Sequence, residues 1–268
     1  MSKIEGWSNM MKITFLGSGS AFCLENFNSN VLLENEGKKL LIDCGGDIRW
    51  SLNEKKLKLT DIDAVYISHS HADHSNGLEG LAFSTYFSKT ANGDPKPKLF
   101  GQKELLNDLW SKTLCGGLAS IQTIDATLDT YFEVNGVENN GSFDFAGINF
   151  KIVQTVHVVA DKTFVKSFGL IFTTPNNNKK VFYTSDTQFC PAQIKDFIKK
   201  SDIVFHDCET SKYPSNVHAH YEDLKALPED TKKKMWLYHY NDGELPDAKK
   251  DGFKGFVDKG QEFEEKFL

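Results

Sequence analysis

The chain reads as an α/β protein in which two mixed sheets pack face to face with helices outside, an αββα sandwich. Three observations predict it. Short apolar runs alternate with helix-like stripes along the whole chain, and the second half repeats the strand-and-helix theme of the first. Residues of metal-ligand type recur at the ends of the apolar runs, the edge where open sheets place their chemistry. No Gly/Ser- or Pro-rich linker divides the 268 residues, so one domain spanning 1–268 is expected.

The elements follow in order. Lys12 to Leu16 is a short apolar strand ending in the Gly17-Ser18-Gly19-Ser20 turn. That turn lacks G-x-G-x-x-G spacing, so a dinucleotide cradle is not expected, and its glycines are assigned to the turn itself. Val31 to Leu33 and Lys39 to Cys44 form a hairpin across Asn35-Glu36-Gly37, with Cys44 as a small buried residue. Ile48, Leu52 and Leu57 are the apolar stripe of a helix opened by Gly45-Gly46. Val65 to Ser68 is a strand, and Leu78, Leu81 and Ala82 are the buried face of the next helix. Leu99 to Gly101 and Gln102 to Leu114 read as strand and helix. In the second half, Ile148 to Val158, Phe168 to Thr173 and Val181 to Thr184 are strands, with a turn at Asn176 to Asn178. Pro191 to Lys199 is an amphipathic helix with Pro in its first turn, and Ile203 to Phe205 and Met235 to Tyr238 are short buried strands.

Composition bounds the function. Hydrophobic content of 40% with 21 Phe is enough for a packed core, and no apolar stretch nears the roughly 20 residues of a bilayer span. The N-terminus lacks the apolar run of a secretory signal. Five cysteines with no C-x-x-C pair point to reduced thiols and a cytoplasmic location. Net charge is −6 and the Lys-rich stretches are short and mixed with acids, which favours a small substrate over long nucleic acid.

The strongest signal is His69-Ser-His71-Ala-Asp73-His74, directly after the Val65 to Ser68 strand. Three of the eight histidines and a carboxylate lie within six residues. His69 and His71 are two apart, so an extended segment aims both to one side. His157, Asp186 and His239 each follow an apolar run in the same way. The assignment is His69, His71 and His157 on one metal, Asp73, His74 and His239 on a second, with Asp186 bridging. Thiolate-free, nitrogen-rich ligation suits two Zn2+ per chain, with Mn2+ or iron as alternatives. Such a pair activates water at neutral pH.

The His-x-His-x-Asp-His loop followed by His157, Asp186 and His239 resembles the metallo-β-lactamase fold over nearly the whole chain. Thr14 to Ala21, Leu40 to Gly45, and the segment Asp202 to Thr210 are similar to motifs of its ribonuclease Z branch. Asp207 stands in that branch's Glu position, and the resemblance puts a non-ligand catalytic His at His220, where Tyr221 replaces the usual Ser. His220 with Asp207 is therefore the expected proton donor and its orienter, Glu209 the substitute orienter, and His206 and His218 are expected either to be structural or to support the site residues from behind.

The ribonuclease Z arm that grips tRNA sits between the third-motif His and the Asp strand, and here residues 158–185 leave no room for it. Gly77 to Phe87 and Lys96 to Leu99 look like phage-type anti-Pycsar nucleases. That resemblance implies a zinc phosphodiesterase opening cyclic CMP, UMP, AMP or GMP to linear 5′-monophosphates, countering cyclic-nucleotide antiviral signalling. It also implies a homodimer, in the host cytoplasm if phage-encoded. Among the aromatic residues, Phe83, Tyr86 or Phe87 is a candidate to stack the base, and at least two of them are expected to pack in the core. The alternatives are a ribonuclease Z-like nuclease, another small-phosphodiester hydrolase, or a non-enzymatic metal-dependent ligand-sequestering protein.

Overall fold

The computed structural model describes residues 10–268, so residues 1–9 of the expected domain lie outside the described residues. The strands are β1 (Lys12–Phe15), β2 (Val31–Asn35), β3 (Lys38–Ile42), β4 (Ala64–Ile67), β5 (Lys98–Gln102), β6 (Glu133–Val137) and β7 (Ser142–Phe145). They continue with β8 (Ile148–Val159), β9 (Phe164–Thr173), β10 (Lys180–Tyr183), β11 (Ile203–Asp207), β12 (Met235–Tyr238), β13 (Gly255–Phe256) and β14 (Glu262–Glu264). They form two seven-stranded sheets, ordered β14-β1-β2-β3-β4-β5-β6 and β13-β12-β11-β10-β9-β8-β7. Both are mixed: β3 to β6 pair in parallel in the first sheet, β10 to β13 in the second.

The period-2 rule explains the layers. Val31, Leu33, Leu40, Ile42 and Tyr66 face Ile152, Phe168, Leu170, Val181 and Phe205 across the space between the sheets. The alternate residues Leu32, Leu41 and Val65 turn outward onto helices α1 (Ile48–Glu54), α3 (Leu78–Ser88) and α4 (Lys103–Leu109). Helix α2 (Ala72–Ser75) lies between α1 and α3 in the chain. Phe182, Val204 and Leu237 turn outward onto α5 (Pro191–Lys200) and α6 (Tyr221–Lys225). Strands buried on both faces read as unbroken apolar runs, which made them visible in the sequence. The layers are the αββα sandwich.

Four strands of the two large sheets escaped the sequence pattern, as did a separate two-stranded ribbon of Ser120–Ile121 and Ile124–Asp125. β6 contains Asn135 and Gly136 and is an edge strand, β7 alternates too briefly, β13 has two residues, and β14 has one apolar residue. Phe263 opposite Ile13 is what makes β14 a strand. The helix expected over Gln102 to Leu114 is α-helical only to Leu109, then continues as a π-turn over Trp110–Leu114. The expected Phe168 strand begins four residues earlier, at Phe164, because it pairs with the long β8. All five cysteines are free. Among the described residues no helix is long and apolar enough to cross a membrane.

Candidate metal centre and proton donor

The expected ligands gather at one edge of the two sheets, most of them just beyond a strand end. His69 and His71 follow β4, Asp73 and His74 lie on α2, Asp186 follows β10, and His239 follows β12. His157 sits where the β8–β9 register slips between Val156 and Val158, a bulge that re-aims its side chain. Three residues at the rim, Asp43, Ser185 and His239, hold φ of 63°, 53° and 67°. Such left-handed backbone at a non-glycine residue costs about 1–3 kcal/mol and persists where the surroundings impose it.

Two donor sets converge. In the first, His71 Nδ1 lies 3.1 Å from His69 Nε2 and 3.0 Å from His157 Nε2. Asp186 Oδ2 lies 3.6 Å and 3.8 Å from those two Nε2 atoms. In the second, His74 Nε2 is 3.1 Å from Asp73 Oδ2 and 3.3 Å from Asp186 Oδ2, and His239 Nε2 is 3.3 Å and 3.4 Å from the same oxygens. A tetrahedron with metal–ligand arms of 2.0–2.1 Å has edges of about 3.3–3.4 Å, so both sets have the dimensions of a metal cage. Asp186 Oδ2 belongs to both.

The tautomers agree. His157 Nδ1 meets the Val217 carbonyl at 2.8 Å and His74 Nδ1 meets Asp43 Oδ2 at 2.8 Å; both partners only accept, so each Nδ1 carries the proton. Ser68 Oγ donates to Asp43 Oδ2, so His69 Nδ1 donates to Ser68 Oγ at 3.0 Å. In the neutral rings the Nε2 lone pairs of His69, His74 and His157 then point inward, the arrangement that partners behind metal-bound imidazoles impose. Lone pairs this close repel unless a cation lies among them. His74 Nε2 and Asp186 Oδ1 are buried without a hydrogen-bond partner. The residues present fit two metal ions.

Electrostatics point the same way. Burial drives the His69 pKa well below its usual value and also lowers His71 and His157, which leaves them neutral and able to coordinate. Burial would lower His74 and His239 too, but Asp186 and its neighbouring carboxylates outweigh it and raise both. Burial likewise opposes ionisation of Asp186, yet His239, His74 and His69 hold it well below the usual carboxylate range. Buried carboxylates here demand positive charge, which metal ions would supply.

The expected proton donor is corrected. His220 points away from this centre: its Nε2 meets the Ser211 carbonyl at 2.9 Å, and its side chain caps α6 by accepting from Glu222 N–H. His218, two residues earlier, is the histidine whose ring reaches the centre. Its Nδ1 lies 2.8 Å from Asp207 Oδ2, and its ring centroid is 5.0 Å from that of His157 and 4.7 Å from that of His239. A signal for this was available, since Glu222-Asp223 are first-turn acids that make position 220 a cap. Glu209 is corrected as well: it accepts from Ser215 N–H and from the Ser211 and Ser215 hydroxyls, and so pins the loop instead of a histidine. Thr187 N–H donates to the same Asp207 Oδ2 at 2.8 Å. Asp186, Asp207, His218 and His239 also cluster closely enough to hold an ion. With Oδ2 and Nδ1 already bonded to each other, the Asp207–His218 side of that set serves better as an orienting pair. Burial would lower the His218 pKa, but Asp207 outweighs it and raises it.

The other assignments resolve simply. His206 is buried and bonds the Asp207 carbonyl. Phe83 and Tyr86 pack edge-on to Tyr131 in the helical layer and Phe87 stacks on Phe83, so none of the three is displayed at the centre. Gly17 and Gly19 serve close approach as much as turning: a Cβ would meet Asn28 O at 2.1 Å and Cys23 Cβ at 2.6 Å. Their strand end supports the centre, with Ser18 O accepting from His239 N–H at 2.7 Å.

Two face-to-face mixed sheets carrying a paired His/Asp cage at their strand ends define a metal-dependent hydrolase of the metallo-β-lactamase fold. The fold matches that of the metallo-β-lactamase fold protein YhfI from Bacillus subtilis with a TM-score of 0.72 at 17% identity, over 96% of this chain and 100% of that one. The family model "Anti-Pycsar protein Apyc1" matches residues 11–263. An Anti-Pycsar protein Apyc1 from Paenibacillus harenae is 37% identical over 237 residues, covering 87% of this chain and 90% of its own. One from Bacillus phage vB_BveM-Goe7 is 32% identical over 262 residues, covering 94% and 97%. The chain belongs to the Anti-Pycsar protein Apyc1 family and is a metal-dependent phosphodiesterase.

Proposed function

We propose that this protein hydrolyses the cyclic mononucleotides cyclic CMP, UMP, AMP and GMP to linear 5′-monophosphates, and thereby removes an antiviral signal. The observation that carries the reading is the Asp207–His218 pair, 2.8 Å apart, on the wall of the doubled donor set. Opening a cyclic phosphate expels an alkoxide, which needs a proton; mere capture of a ligand does not. His69, His71, His157 and Asp186 would hold one Zn2+, and Asp73, His74, His239 and Asp186 the other, with Mn2+ as the alternative. Two bound ions would supply activated water and positive charge for the phosphate oxygens. As water's oxygen bonds to phosphorus, the P–O3′ bond breaks. His218 gives its Nε2 proton to O3′ while Asp207 holds Nδ1.

The chain is read as one domain over 1–268, working as a homodimer in the cytoplasm, or in the host cytoplasm if phage-encoded; the free cysteines support that compartment. A ribonuclease Z-like nuclease is the second reading. Against it stand the net charge of −6 and the content of residues 158–185, which hold the end of β8, all of β9 and all of β10 with short connections. The deciding experiment incubates zinc-loaded protein with the four cyclic nucleotides and with a precursor tRNA. Turnover of cyclic nucleotides to 5′-monophosphates is expected; site-specific tRNA cleavage with inert cyclic nucleotides would reverse the ranking.

A further inference from the structure

Beyond the metal cage, β8 and β9 outrun their sheet. β10 pairs with β9 only from Leu170 to Thr173, so residues 164–169 have β8 alone as a strand partner and the ribbon runs on past its sheet at the end that carries His157. Its base is tied to the first sheet: Phe168 N–H donates to Ser68 O at 3.1 Å, and the Tyr66 hydroxyl donates to Phe168 O at 2.8 Å. Between this ribbon and the α4–π-turn segment lies a cavity of about 390 Å³. Ser70, the residue between ligands His69 and His71, is part of its wall, and the overhanging ribbon leads directly from His157. The cavity therefore shares a wall residue with the loop that carries His69 and His71.

Its chemistry selects a neutral, flat group over an anion. Both lysines on its wall are already neutralised, Lys112 by Asp108 at 2.8 Å and Lys166 by Glu104 at 3.3 Å. Phe164, 40% exposed, presents an aromatic face that core packing does not consume, with buried Phe168 below it. Gln102 on the same wall is 2% exposed; its Oε1 accepts from Leu105 N–H, which leaves the amide NH2 as a donor. The remaining wall is the π-turn with Thr113, an irregularity found often at functional sites. The volume is in the range of small-ligand pockets.

We infer that this cavity takes the base and ribose of the substrate, with Phe164 as the stacking face and the Gln102 amide as donor to an acceptor on the base edge. The inference rests on the cyclic-nucleotide reading above. Stacking is tolerant of sequence because every base has a π-face, and every base edge carries an acceptor, so the pocket accepts all four nucleotides.

The test compares steady-state kinetics of the metal-loaded full chain on the four cyclic nucleotides and on 1-O-methylribose 3′,5′-cyclic phosphate, which has no base. Phe164→Ala should lower kcat/KM for the nucleotides by roughly 5- to 100-fold, chiefly through KM, the usual worth of one base–aromatic contact. It should leave the base-free ester unchanged, and Phe164→Trp should restore nucleotide kinetics. Phe22→Ala is the control. Phe22, 92% exposed, lies on a different loop, which Asp242 anchors through the N–H groups of Leu24 and Glu25. Wild-type nucleotide kinetics in Phe164→Ala, an equal loss on the base-free ester, or a comparable loss in Phe22→Ala would each overturn the pocket assignment while leaving nucleotide hydrolysis standing. A wild-type protein that cleaves the base-free ester and no nucleotide would instead overturn the functional reading, and the pocket with it.

Discussion

His218→Ala separates the proton donor from the ligands. His218 is absent from both ligand sets that share Asp186 Oδ2, so the variant should keep its full metal complement by elemental analysis. Its Nδ1 is committed to Asp207 Oδ2 at 2.8 Å, so the only function lost is a proton delivered from Nε2. A positioned general acid contributes 10²–10⁴-fold, about 2.7–5.5 kcal/mol of barrier at 1.36 kcal/mol per decade. Initial rates on a cyclic nucleotide should fall by that factor. On a nitrophenyl phosphodiester, whose leaving group needs no proton, the defect should shrink towards unity; a lost ligand would harm both substrates alike. His220→Ala supplies the contrast: it removes a helix cap and a tie to Ser211, costing about 0.5–1 kcal/mol of stability with turnover near wild type. Metal loss in His218→Ala, equal defects on the two substrates, or a His220→Ala variant as impaired as His218→Ala would refute the reasoning.

Three further outcomes are expected. Asp186→Ala removes the oxygen shared by both cages and should abolish turnover and lower metal stoichiometry; active protein without stoichiometric metal would contradict the whole assignment. Asp43→Asn weakens the acceptor behind His74 Nδ1 and should weaken metal binding by about 10–100-fold, read by competition with a chromogenic chelator. In Gly45→Ala the new Cβ would lie 2.1 Å from the Asp73 carbonyl oxygen, so the backbone carrying that ligand must shift; the metal count should drop towards one ion per chain, and an unchanged count would show that Asp73 is not needed.

The candidate ligand residues were legible because they obey a rule that is local in the chain: a ligand-type side chain directly after an apolar run. The sandwich was legible for a related reason, since strands such as β4 and β11, buried on both faces, leave continuous apolar words in the sequence. Marginal strands were not. β6 and β14 carry too few apolar residues to declare themselves, and β14 exists because β1 offers it an edge. The two-residue slip from His220 to His218 has the same origin. Both histidines lie in one polar segment, and which of them faces the centre depends on where α6 begins and on Asp207 reaching across from β11.

By itself, then, the sequence determined the layer architecture, the family and the residues able to bind metal, because side-chain chemistry and period-2 burial are written along the chain. Only the tertiary structure decided which atoms converge within 3–4 Å, which histidine meets Asp207, and where a cavity opens with Ser70 in its wall. Those are distances between segments remote in sequence, such as the loop at 69–74, the bulge at His157 and the strand end at His239. They are set by sheet register and by a β8–β9 ribbon that overhangs its own sheet. No local pattern encodes a distance of that kind, because it is the sum of many packing contacts rather than a property of any one segment.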